Sequence, residues 1–273
     1  MRNLGIIASE NIKSISIVAL CVDVSIPENH PRYRSLMTRE RLVALTDRGL
    51  VDRTGLISHG RGEAFDYLLG ERTTAAAAAA AKAAAAHLLR ARNPVICTNG
   101  NATALDPENL IKLATMVPAK LEVNLFHYSR ERMEGLIGYL EQHGAEDVRG
   151  RDPDARIPGL TSDRARCTRD GIFDSDVILV PIEDGDRAEA LVAMGKTVIS
   201  IDLNPLSRTS RLASVSISDE MTRALENIMA SVAELRGDEA AISEAISGFS
   251  NKDNRRRTVE QICRSLTAEF DQR

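Results

Sequence analysis

Polar side chains lie at or near the carboxyl ends of four apolar segments of this 273-residue chain that are predicted to form strands. These polar positions are Asn99 to Asn101, Asn124, Glu183 to Arg187, and Asp202 to Asn204. In an open parallel sheet, ligands bind beyond the carboxyl ends of the strands, so four polar strand ends together predict a site for a polar ligand. The alternative is that these Asn and Asp residues only form turns and helix caps.

An acidic residue after one of these strands indicates a nucleotide. Asp202 follows the apolar run TVISI, and a carboxylate in that position accepts hydrogen bonds from ribose hydroxyls. The segment from Ser207 to Arg211 adds hydroxyl groups and two arginines. The alternative for that segment is a polar loop with a capping role.

The segment from His59 to Leu68 places a glycine on each side of Arg61. It has neither the spacing of a P-loop nor a GxGxxG pattern. Two glycines beside an arginine let backbone N–H groups and a guanidinium approach one anion closely, so we interpret the segment as a glycine-rich turn next to His59. Arg72 follows shortly and brings a second cation.

Two further groups leave alternatives open. Arg39 shares the predicted apolar stripe of a helix with Leu36 and Val43, so its side chain either extends along the surface or turns inward to meet an anion. Asp184 and Asp186 either supply oxygen ligands for Mg²⁺ or cap the helix that follows, and capping is the favoured interpretation.

Strands alternate with helices along the chain. Strands are predicted over residues 95–98, 120–126, 176–182, 197–203 and 214–218, and helices over 29–48, 74–92, 107–116, 130–143, 186–194 and 221–235. This alternation predicts an α/β fold, a Rossmann-like open, mostly parallel sheet with helices on both faces and helical segments at both termini. Residues 99–101 are expected to form a turn and residues 147–158 a polar loop. We expect an extension over 1–26, a single α/β domain over 27–235 and a helical tail over 236–273.

The composition argues against several classes of function. The net charge is −4, and five Phe, four Tyr and no Trp are too few for the stacking platforms of single-strand nucleic-acid binders. The four cysteines contain no CxxC pair, which argues against a structural zinc site and fits free thiols in a reducing compartment. The apolar run over residues 15–24 is shorter than a membrane helix and is expected to be a strand or a disordered extension. The alternative is a signal peptide, with Arg2 and Lys13 in front of it, against which the lack of a clean cleavage site counts. We therefore expect a cytoplasmic protein without nucleic-acid or membrane partners.

Several long motifs resemble one known family. They are the segments 26–33, 55–74, 120–126, 155–160, 180–196 and 201–211. Together they resemble the archaeal 4-phosphopantoate–β-alanine ligases, also called phosphopantothenate synthetases, over residues 26–235. The resemblance implies an AMP-forming ligase of coenzyme A biosynthesis that condenses 4-phosphopantoate with β-alanine, uses ATP, has a Rossmann-like fold and is a homodimer.

The resemblance also implies where ATP is bound. The residues that it matches to ATP contacts are Arg39, Arg61, Asp202, Leu203, Asn204, Arg208, Thr209, Glu220 and Met221. The family has Asp-Asn-Ile after its last strand, where this sequence has Asp219-Glu220-Met221. An ionised Glu only accepts hydrogen bonds, whereas Asn also donates, so contacts at Glu220 are expected through the backbone.

An AMP-forming amide synthesis needs an activated acyl group, and an acyl adenylate is the expected intermediate. Arg39, Arg61 and Arg208, together with Mg²⁺, are the candidates that stabilise charge on the phosphate oxygens. Arg72 or Arg156 is expected to bind the 4-phosphate, because Arg matches phosphate oxygens bidentately. The remaining candidates are Asn99 and Asn101 as groups that orient the substrate carboxylate and His59 as the proton acceptor for the amine.

Two other classes of function stay open at the level of sequence. One is a nicotinamide-dependent dehydrogenase on the same kind of sheet, against which the absence of GxGxxG counts. The other is a protein that binds a nucleotide as a sensor without catalysis.

Overall fold

The computed structural model describes residues 26–268 and residue 270. The apolar run 15–24 and, apart from Ile26, the expected N-terminal extension lie outside the described residues. Within them the helices are α1 (Tyr33–Asp47), α2 (Arg53–Leu69), α3 (Ala75–Arg90), α4 (Gly100–Leu105), α5 (Pro107–Met116), α6 (Arg130–Gln142), α7 (Gly185–Ala193), α8 (Arg208–Leu212), α9 (Met221–Leu235), α10 (Glu239–Ser247) and α11 (Asn251–Ala268). The strands are β1 (Pro94–Thr98), β2 (Lys120–Val123), β3 (Val148–Arg149), β4 (Ala155–Arg156), β5 (Arg166–Cys167), β6 (Val177–Pro181), β7 (Thr197–Ile201) and β8 (Val215–Ile217).

The described residues form two compact units that divide between Met37 and Thr38. In the first, the His30 N–H donates to the Pro27 carbonyl oxygen at 2.9 Å, and this turn precedes the start of α1. The second unit contains all the strands listed above and helices α2 to α11.

Six parallel strands form the central sheet in the order β3-β2-β1-β6-β7-β8. This is the Rossmann order, in which the chain leaves the middle of the sheet toward one edge and then toward the other. The order reverses between β1 and β6, and ligands of such sheets bind beyond the strand ends at that switch point. The predicted Rossmann-like parallel sheet is therefore confirmed. The remaining strands, β4 and β5, form a short antiparallel ribbon.

Both faces of the sheet are covered. Side chains of β1 alternate between two hydrophobic clusters, Ile96 in one and Val95 and Cys97 in the other. Helix α3, which is almost entirely Ala, packs in the larger cluster against α9, α10 and α11. Ala is the best helix former, and its small side chain allows close approach of neighbouring helices. The segment after residue 235 forms α10 and α11.

Local predictions differ from the structure at several places, and the helix expected over 29–48 begins at Tyr33. The expected turn at residues 99–101 is the start of α4, and the strand expected over 120–126 ends at Val123. The expected polar loop at 147–158 contains β3 and β4. The buried face of α1 carries Leu42 and Leu45, whereas Val43 is 45% exposed. Positions 42 and 45 face the core because a helix turns by about 100° per residue, so Val43 lies outside that face.

Candidate active site

The carboxyl ends of the six parallel strands lie along one edge of the sheet, here called the strand-end edge and formed by the residues that directly follow each strand. At its middle, Asn99 follows β1 and joins the two halves of the sheet. Its Nδ2 donates to the carbonyl oxygens of Pro181 (3.0 Å) and Ile182 (3.1 Å), and its Oδ1 accepts from the Ala102 N–H (3.0 Å) and caps α4. The two amide protons are thus used, and the Asn99 side chain has no donor left for a substrate carboxylate.

The backbone at the end of β6 is strained. Ile182 has φ +52°, a left-handed conformation that a β-branched residue rarely adopts. Bonds on both sides hold it there, from the Ile182 N–H to the Ile201 carbonyl oxygen (3.0 Å) and from Asn99 to the Ile182 carbonyl oxygen. Strain of this kind is concentrated at functional sites, where the surrounding structure fixes it.

Buried charges lie directly after β6. The side chains of Glu183 and Arg187 are 1% and 0% exposed, and they form an ion pair one helical turn apart. Arg187 Nη2 also contacts the Cys97 sulfur at 3.1 Å, and burial raises the pKa of that thiol. These two opposite charges neutralise one another beneath the switch point, where an unpaired buried charge would be costly.

A second buried arginine, Arg164, reaches the strand-end edge from the long connection between β3 and β6. Its Nε donates to Asp184 Oδ2 at 3.0 Å, and its Nη1 donates to the Asn124 carbonyl oxygen at 2.8 Å. The Asn124 side chain donates in turn to the Arg166 carbonyl oxygen at 2.6 Å. The connection is therefore fixed to the ends of both β2 and β6. Nothing in the sequence singles out Arg164 among the many arginines of this segment.

The end of β7 carries the residues expected to bind a nucleotide. The Asp202 carboxylate accepts from the Asn204 N–H (2.9 Å) and from the Ser207 hydroxyl. Burial raises the pKa of Asp202, and the positive charge of Arg61 opposes that rise. The Thr209 hydroxyl donates to the Glu183 carbonyl oxygen at 2.8 Å, which joins α8 to the end of β6. The predicted cluster of Asp202, Asn204 and Thr209 is thus brought together.

Arg208 lies on the exposed side of this cluster. Its guanidinium pairs with Asp186 and Glu189 of α7. Its aliphatic stem lies against Gly185, where an added Cβ would come within 2.8 Å of three of its carbon atoms. A glycine at 185 therefore lets α8 approach α7 closely, and the polar loop expected at 207–211 is the helix α8.

Glu220 caps α9 at the end of β8. Its carboxylate accepts from the N–H groups of Thr222 (2.9 Å) and Arg223 (3.1 Å), and burial raises its pKa. Met221 is buried in the first turn of the same helix. The preceding residue, Asp219, accepts from the Thr73 hydroxyl at 2.6 Å. The carboxylate of Glu220 is therefore engaged by its own helix.

The glycine-rich turn predicted at His59 to Leu68 is wrong, because this segment lies inside helix α2. Asp52 caps the start of the helix, and Gly70, with φ +88°, ends it. Backbone N–H groups in the helix interior bond to the preceding turn and are not free to cradle an anion. The glycines serve packing instead: a Cβ on Gly55 would lie 2.1 Å from Asn101 Oδ1, and one on Gly62 would lie 3.5 Å from Leu203.

Helix α2 crosses the strand-end edge from β1 to β8. Asn101, after β1, donates to the Gly55 carbonyl oxygen at 2.8 Å. Gly62 faces Leu203, after β7, and Asp66 pairs with Arg223, close to the end of β8. Positions 55, 59, 62 and 66 recur at helical spacing and share one face. His59 therefore lies on the face of α2 that is turned toward the sheet.

His59, Glu63 and Arg39 form a polar group between α1 and α2. Arg39 Nε donates to both Glu63 oxygens at 3.0 and 3.2 Å, so the anion that Arg39 meets is the carboxylate of Glu63. His59 Nε2 lies 3.8 Å from Glu63 Oε1 and has no hydrogen-bond partner within the described residues. Burial lowers the pKa of His59, which favours the neutral ring that a proton acceptor requires.

The two alternative arginines for the 4-phosphate lie at different places along the strand-end edge. Arg72 follows α2 and is next to Thr73, whose hydroxyl bonds to Asp219 at the end of β8. Arg156 of β4 lies directly opposite Arg166 of β5. The Arg166 guanidinium covers the Tyr128 ring at 4.6 Å from its centre, and the Arg166 backbone bonds to Asn124 at the end of β2. The structure thus does not bring Arg72 and Arg156 together.

The acidic pair after β6 lies at the start of α7, where the capping interpretation places it, but the N-cap residue makes no side-chain capping bond. Asp184 occupies the N-cap position of α7, but its side chain makes no capping bond, because Arg164 holds it. Asp186 is paired with Arg208. Across residues 26–268 and residue 270, no three His, Cys, Asp or Glu side chains are grouped so that they could hold a metal ion. None of the described helices combines the length and the hydropathy needed to span a membrane.

Comparison with known proteins gives consistent matches. The model of the phosphopantothenate/pantothenate synthetase family matches residues 76–265. The 4-phosphopantoate–β-alanine ligase of Methanosarcina mazei is 48% identical over 237 residues, which cover 87% of this chain and 92% of the relative. The ligase of the same name from Methanospirillum hungatei is 53% identical over 78% of this chain and 87% of its own. That of Thermococcus kodakarensis is 47% identical over 78% and 82%.

Proposed function

Because this chain belongs to the phosphopantothenate/pantothenate synthetase family, we propose that it joins 4-phosphopantoate to β-alanine with ATP and releases AMP and pyrophosphate. The observation that carries this proposal is the strand-end edge of a Rossmann-ordered sheet, with Asp202, Asn204 and Thr209 on one side of the switch point and Arg156 and Arg166 on the other. The product is 4′-phosphopantothenate, a precursor of coenzyme A.

ATP binds over β7 and β8 in this proposal. Asp202 accepts hydrogen bonds from the ribose hydroxyls, and Leu203, Asn204, Thr209 and the backbone of Glu220 and Met221 surround the base and sugar. The guanidinium groups of Arg61 and Arg208 approach the phosphates, where charge develops during transfer. Arg39, which the resemblance matches to an ATP contact, is held by Glu63 on the neighbouring helix α2.

Mg²⁺ enters as part of the nucleotide co-substrate. The carboxylates nearest the switch point, Asp184 and Asp186, are held by Arg164 and Arg208 and do not form a ligand set of their own. Mg²⁺ prefers phosphate oxygens and water over an all-protein cage, which agrees with this arrangement.

The 4-phosphate binds between Arg156 and Arg166. These arginines lie opposite one another on the β4–β5 ribbon, and neither has an ion pair with a carboxylate in the described part of the chain. Like charges directly opposite across two strands are unfavourable, and a bound dianion removes that repulsion. Arg72 lies at the far, nucleotide end of the strand-end edge and is the less suitable of the two predicted residues.

Amide formation then proceeds in two steps. A carboxylate oxygen of 4-phosphopantoate attacks the α-phosphorus of ATP, and pyrophosphate leaves. The ammonium group of β-alanine loses one proton to water, and the resulting amine attacks the acyl carbon. AMP leaves with the bonding electrons of the C–O bond, and the surplus proton on the nitrogen passes to the neutral His59 ring. Holding both reactants at one edge supplies much of the acceleration.

The first experiment mixes the protein with ATP, 4-phosphopantoate and β-alanine and measures AMP. We expect AMP in amounts equal to the phosphopantothenate formed, and ATP binding without AMP would overturn the proposal. Exchange of labelled pyrophosphate into ATP, with 4-phosphopantoate but no β-alanine, tests the acyl adenylate. Full ligation without exchange would contradict a free adenylate step.

We further propose a homodimer that works in the cytoplasm. Ile57 and Tyr67 of α2 are 72% and 49% exposed, which gives this helix an apolar outer surface suited to a second copy. The cysteines Cys97, Cys167 and Cys263 are unpaired, as in a reducing compartment. Light scattering of the purified protein, repeated with an Ile57→Glu variant, tests the dimer.

A further inference from the structure

The ion pair between Arg164 and Asp184 lies at the switch point and has unused hydrogen-bonding groups on both partners. The side chain of Arg164 is 8% exposed, whereas that of Asp184 is 43% exposed. The pair therefore consists of a buried cation and an anion that is open to the site.

Arg164 keeps one nitrogen free for a ligand. Its Nε is bound to Asp184 and its Nη1 to Asn124, whereas its Nη2 makes no hydrogen bond to any residue that the structure describes. Nη2 is not fully buried and remains accessible to solvent. The guanidinium is nine-tenths buried, and two of its three nitrogens are fixed by hydrogen bonds. Its third nitrogen is therefore positioned to bind a carboxylate.

Asp184 keeps one oxygen free. Its Oδ2 accepts from Arg164, and its Oδ1 has no partner among the described residues. Four other Asp or Asn residues at N-cap positions, Asp52, Asn99, Asp106 and Asp238, do accept a bond from their own helix. Asp184 is held away from this ordinary role and faces the site instead.

We propose that Arg164 and Asp184 form the subsite for the amino substrate, a short zwitterion. Arg164 Nη2 binds its carboxylate, and Asp184 Oδ1 binds its ammonium group. This inference rests on the proposed function, in which that substrate is β-alanine. ATP and 4-phosphopantoate carry only negative charge, so the open carboxylate of Asp184 would repel them. A zwitterion needs one binding group of each charge, which Arg164 and Asp184 together provide.

The position agrees with the order of the reaction. Arg164 and Asp184 lie between the nucleotide residues after β7 and the Arg156–Arg166 pair beside β2. An amine bound there lies between the phosphate-anchored acyl group and the AMP that it displaces. Asp184 holds the ammonium form until the proton leaves, and Arg164 fixes the far end of the molecule.

The test compares substrates as well as variants. Arg164→Gln and Asp184→Asn should each raise the KM for β-alanine by about 10- to 100-fold, the loss of one charge-assisted hydrogen bond, with the KM values for ATP and 4-phosphopantoate within twofold of wild type. Propylamine, which lacks the carboxylate, should be a poor substrate of the wild type. Arg164→Gln should erase most of this preference for β-alanine, and Asp184→Asn should retain it.

The outcomes separate this inference from its premise. If wild type forms no AMP, the proposed function fails. If wild type ligates but accepts propylamine as well as β-alanine, or if all three KM values rise together in the variants, the subsite is wrong and the ion pair only fixes the connection between β3 and β6. Pyrophosphate exchange, which needs no β-alanine, should survive in both variants. Arg149→Gln, which breaks an ion pair with Asp170 in the same connection, is the matched control and should leave the KM for β-alanine unchanged.

Discussion

The polar side chains at the strand-end edge differ in how many of their hydrogen-bonding groups the protein itself uses. Asn99 uses its amide N–H groups on two backbone carbonyl oxygens of β6 and the residue after it, whereas Asn101 makes one such bond, to Gly55 of α2. Arg61, by contrast, makes no hydrogen bond through its guanidinium within the described residues and is exposed on α2. Residue type alone predicts that the edge is polar. Only the hydrogen bonds in the structure show which donors are already satisfied within the fold and which are available to a ligand.

Arg61→Ala should abolish turnover without unfolding the protein. The side chain is exposed and has no structural bond to lose, so the melting temperature should stay within about 1 °C, as for other exposed substitutions. Its loss removes positive charge from the α2 face above Asp202, where the phosphates of ATP are expected. AMP formation and thermal unfolding are measured on the same preparation. Arg53→Ala, another exposed position on α2, is the control, and near-normal activity of Arg61→Ala would remove Arg61 from the site.

Arg164 shows where residue-level prediction from sequence ends. Asp202 and Asn204 follow an apolar strand, and that position predicts a polar ligand there, whereas Thr209 is matched to an ATP contact by the family resemblance. Arg164 lies in a connection that contains several other arginines, and its burial depends on bonds to Asn124 and Asp184, which are 40 and 20 residues away. No local pattern encodes such contacts.

At the scale of elements, apolar runs and helix signals are reliable where one face is continuously buried. Helices α5 and α9 have the predicted bounds. Pro107 marks the start of α5, and a long buried face marks the extent of α9. Strands β3, β4 and β5 have two residues each, too few to show any periodicity. Helix α2 was missed because its glycines suggest a turn, although they face Asn101 and Leu203 across a close helix contact.

Substitution of two α2 glycines distinguishes a helix from a phosphate-binding turn. An Ala at Gly60 meets no atom within 4 Å and removes a flexible residue from a helix interior, so we expect about 0.5–1 kcal/mol of added stability and unchanged ATP binding. Gly55→Ala places a Cβ onto Asn101 and should cost about 1–3 kcal/mol. Urea unfolding and ATP titration measure both effects. Loss of ATP binding in Gly60→Ala would instead support the interpretation of this segment as a glycine-rich, phosphate-binding turn.

Glu122 of β2 fixes the start of the segment that leads into β6. Its two oxygens accept from the N–H groups of Thr168 and Ile172, both at 2.7 Å. Burial raises its pKa to about 7, although these bonds and the positive charge of Arg187 oppose the rise. The folded protein therefore binds a proton at Glu122 more tightly than the unfolded chain does.

The sign of this shift predicts a pH dependence of stability. The contribution of Glu122 is fully present below pH 4.5 and is lost as the pH rises through about 7, a change of about 3 kcal/mol. Glu122→Gln should flatten this part of the stability curve, measured as the free energy of unfolding in urea between pH 4.5 and 8. Glu131→Gln, at an exposed carboxylate of α6, should leave the curve unchanged. An identical slope in Glu122→Gln would assign the pH dependence to other groups.

At the scale of the whole molecule, the strand order divides the tasks of the proposed reaction. In the proposed reaction, β7 and β8 end in the residues assigned to ATP, and β2 ends beside the arginines assigned to the 4-phosphate. Two anions are thereby held on opposite sides of the switch point, and the Arg164–Asp184 pair lies between them. The fold class and this edge follow from the alternation of apolar strands and helices. The strand order does not, because it depends on which strands pair across connections of many residues.

Asn99 is the side chain that joins these two halves, and its replacement tests how much the junction contributes. Asn99→Ala removes the cap of α4 and both bonds to β6, which should lower the free energy of unfolding by about 2–4 kcal/mol. It also releases the strained Ile182, so activity should fall together with stability. Asn109→Ala, which loses only the bond from Nδ2 to Asp106 Oδ2 at the start of α5, should cost no more than about 1 kcal/mol and keep activity. If Asn99→Ala instead loses activity while its urea midpoint stays unchanged, Asn99 contacts the substrate, and the two halves are held together by the strand pairing of β1 and β6 alone.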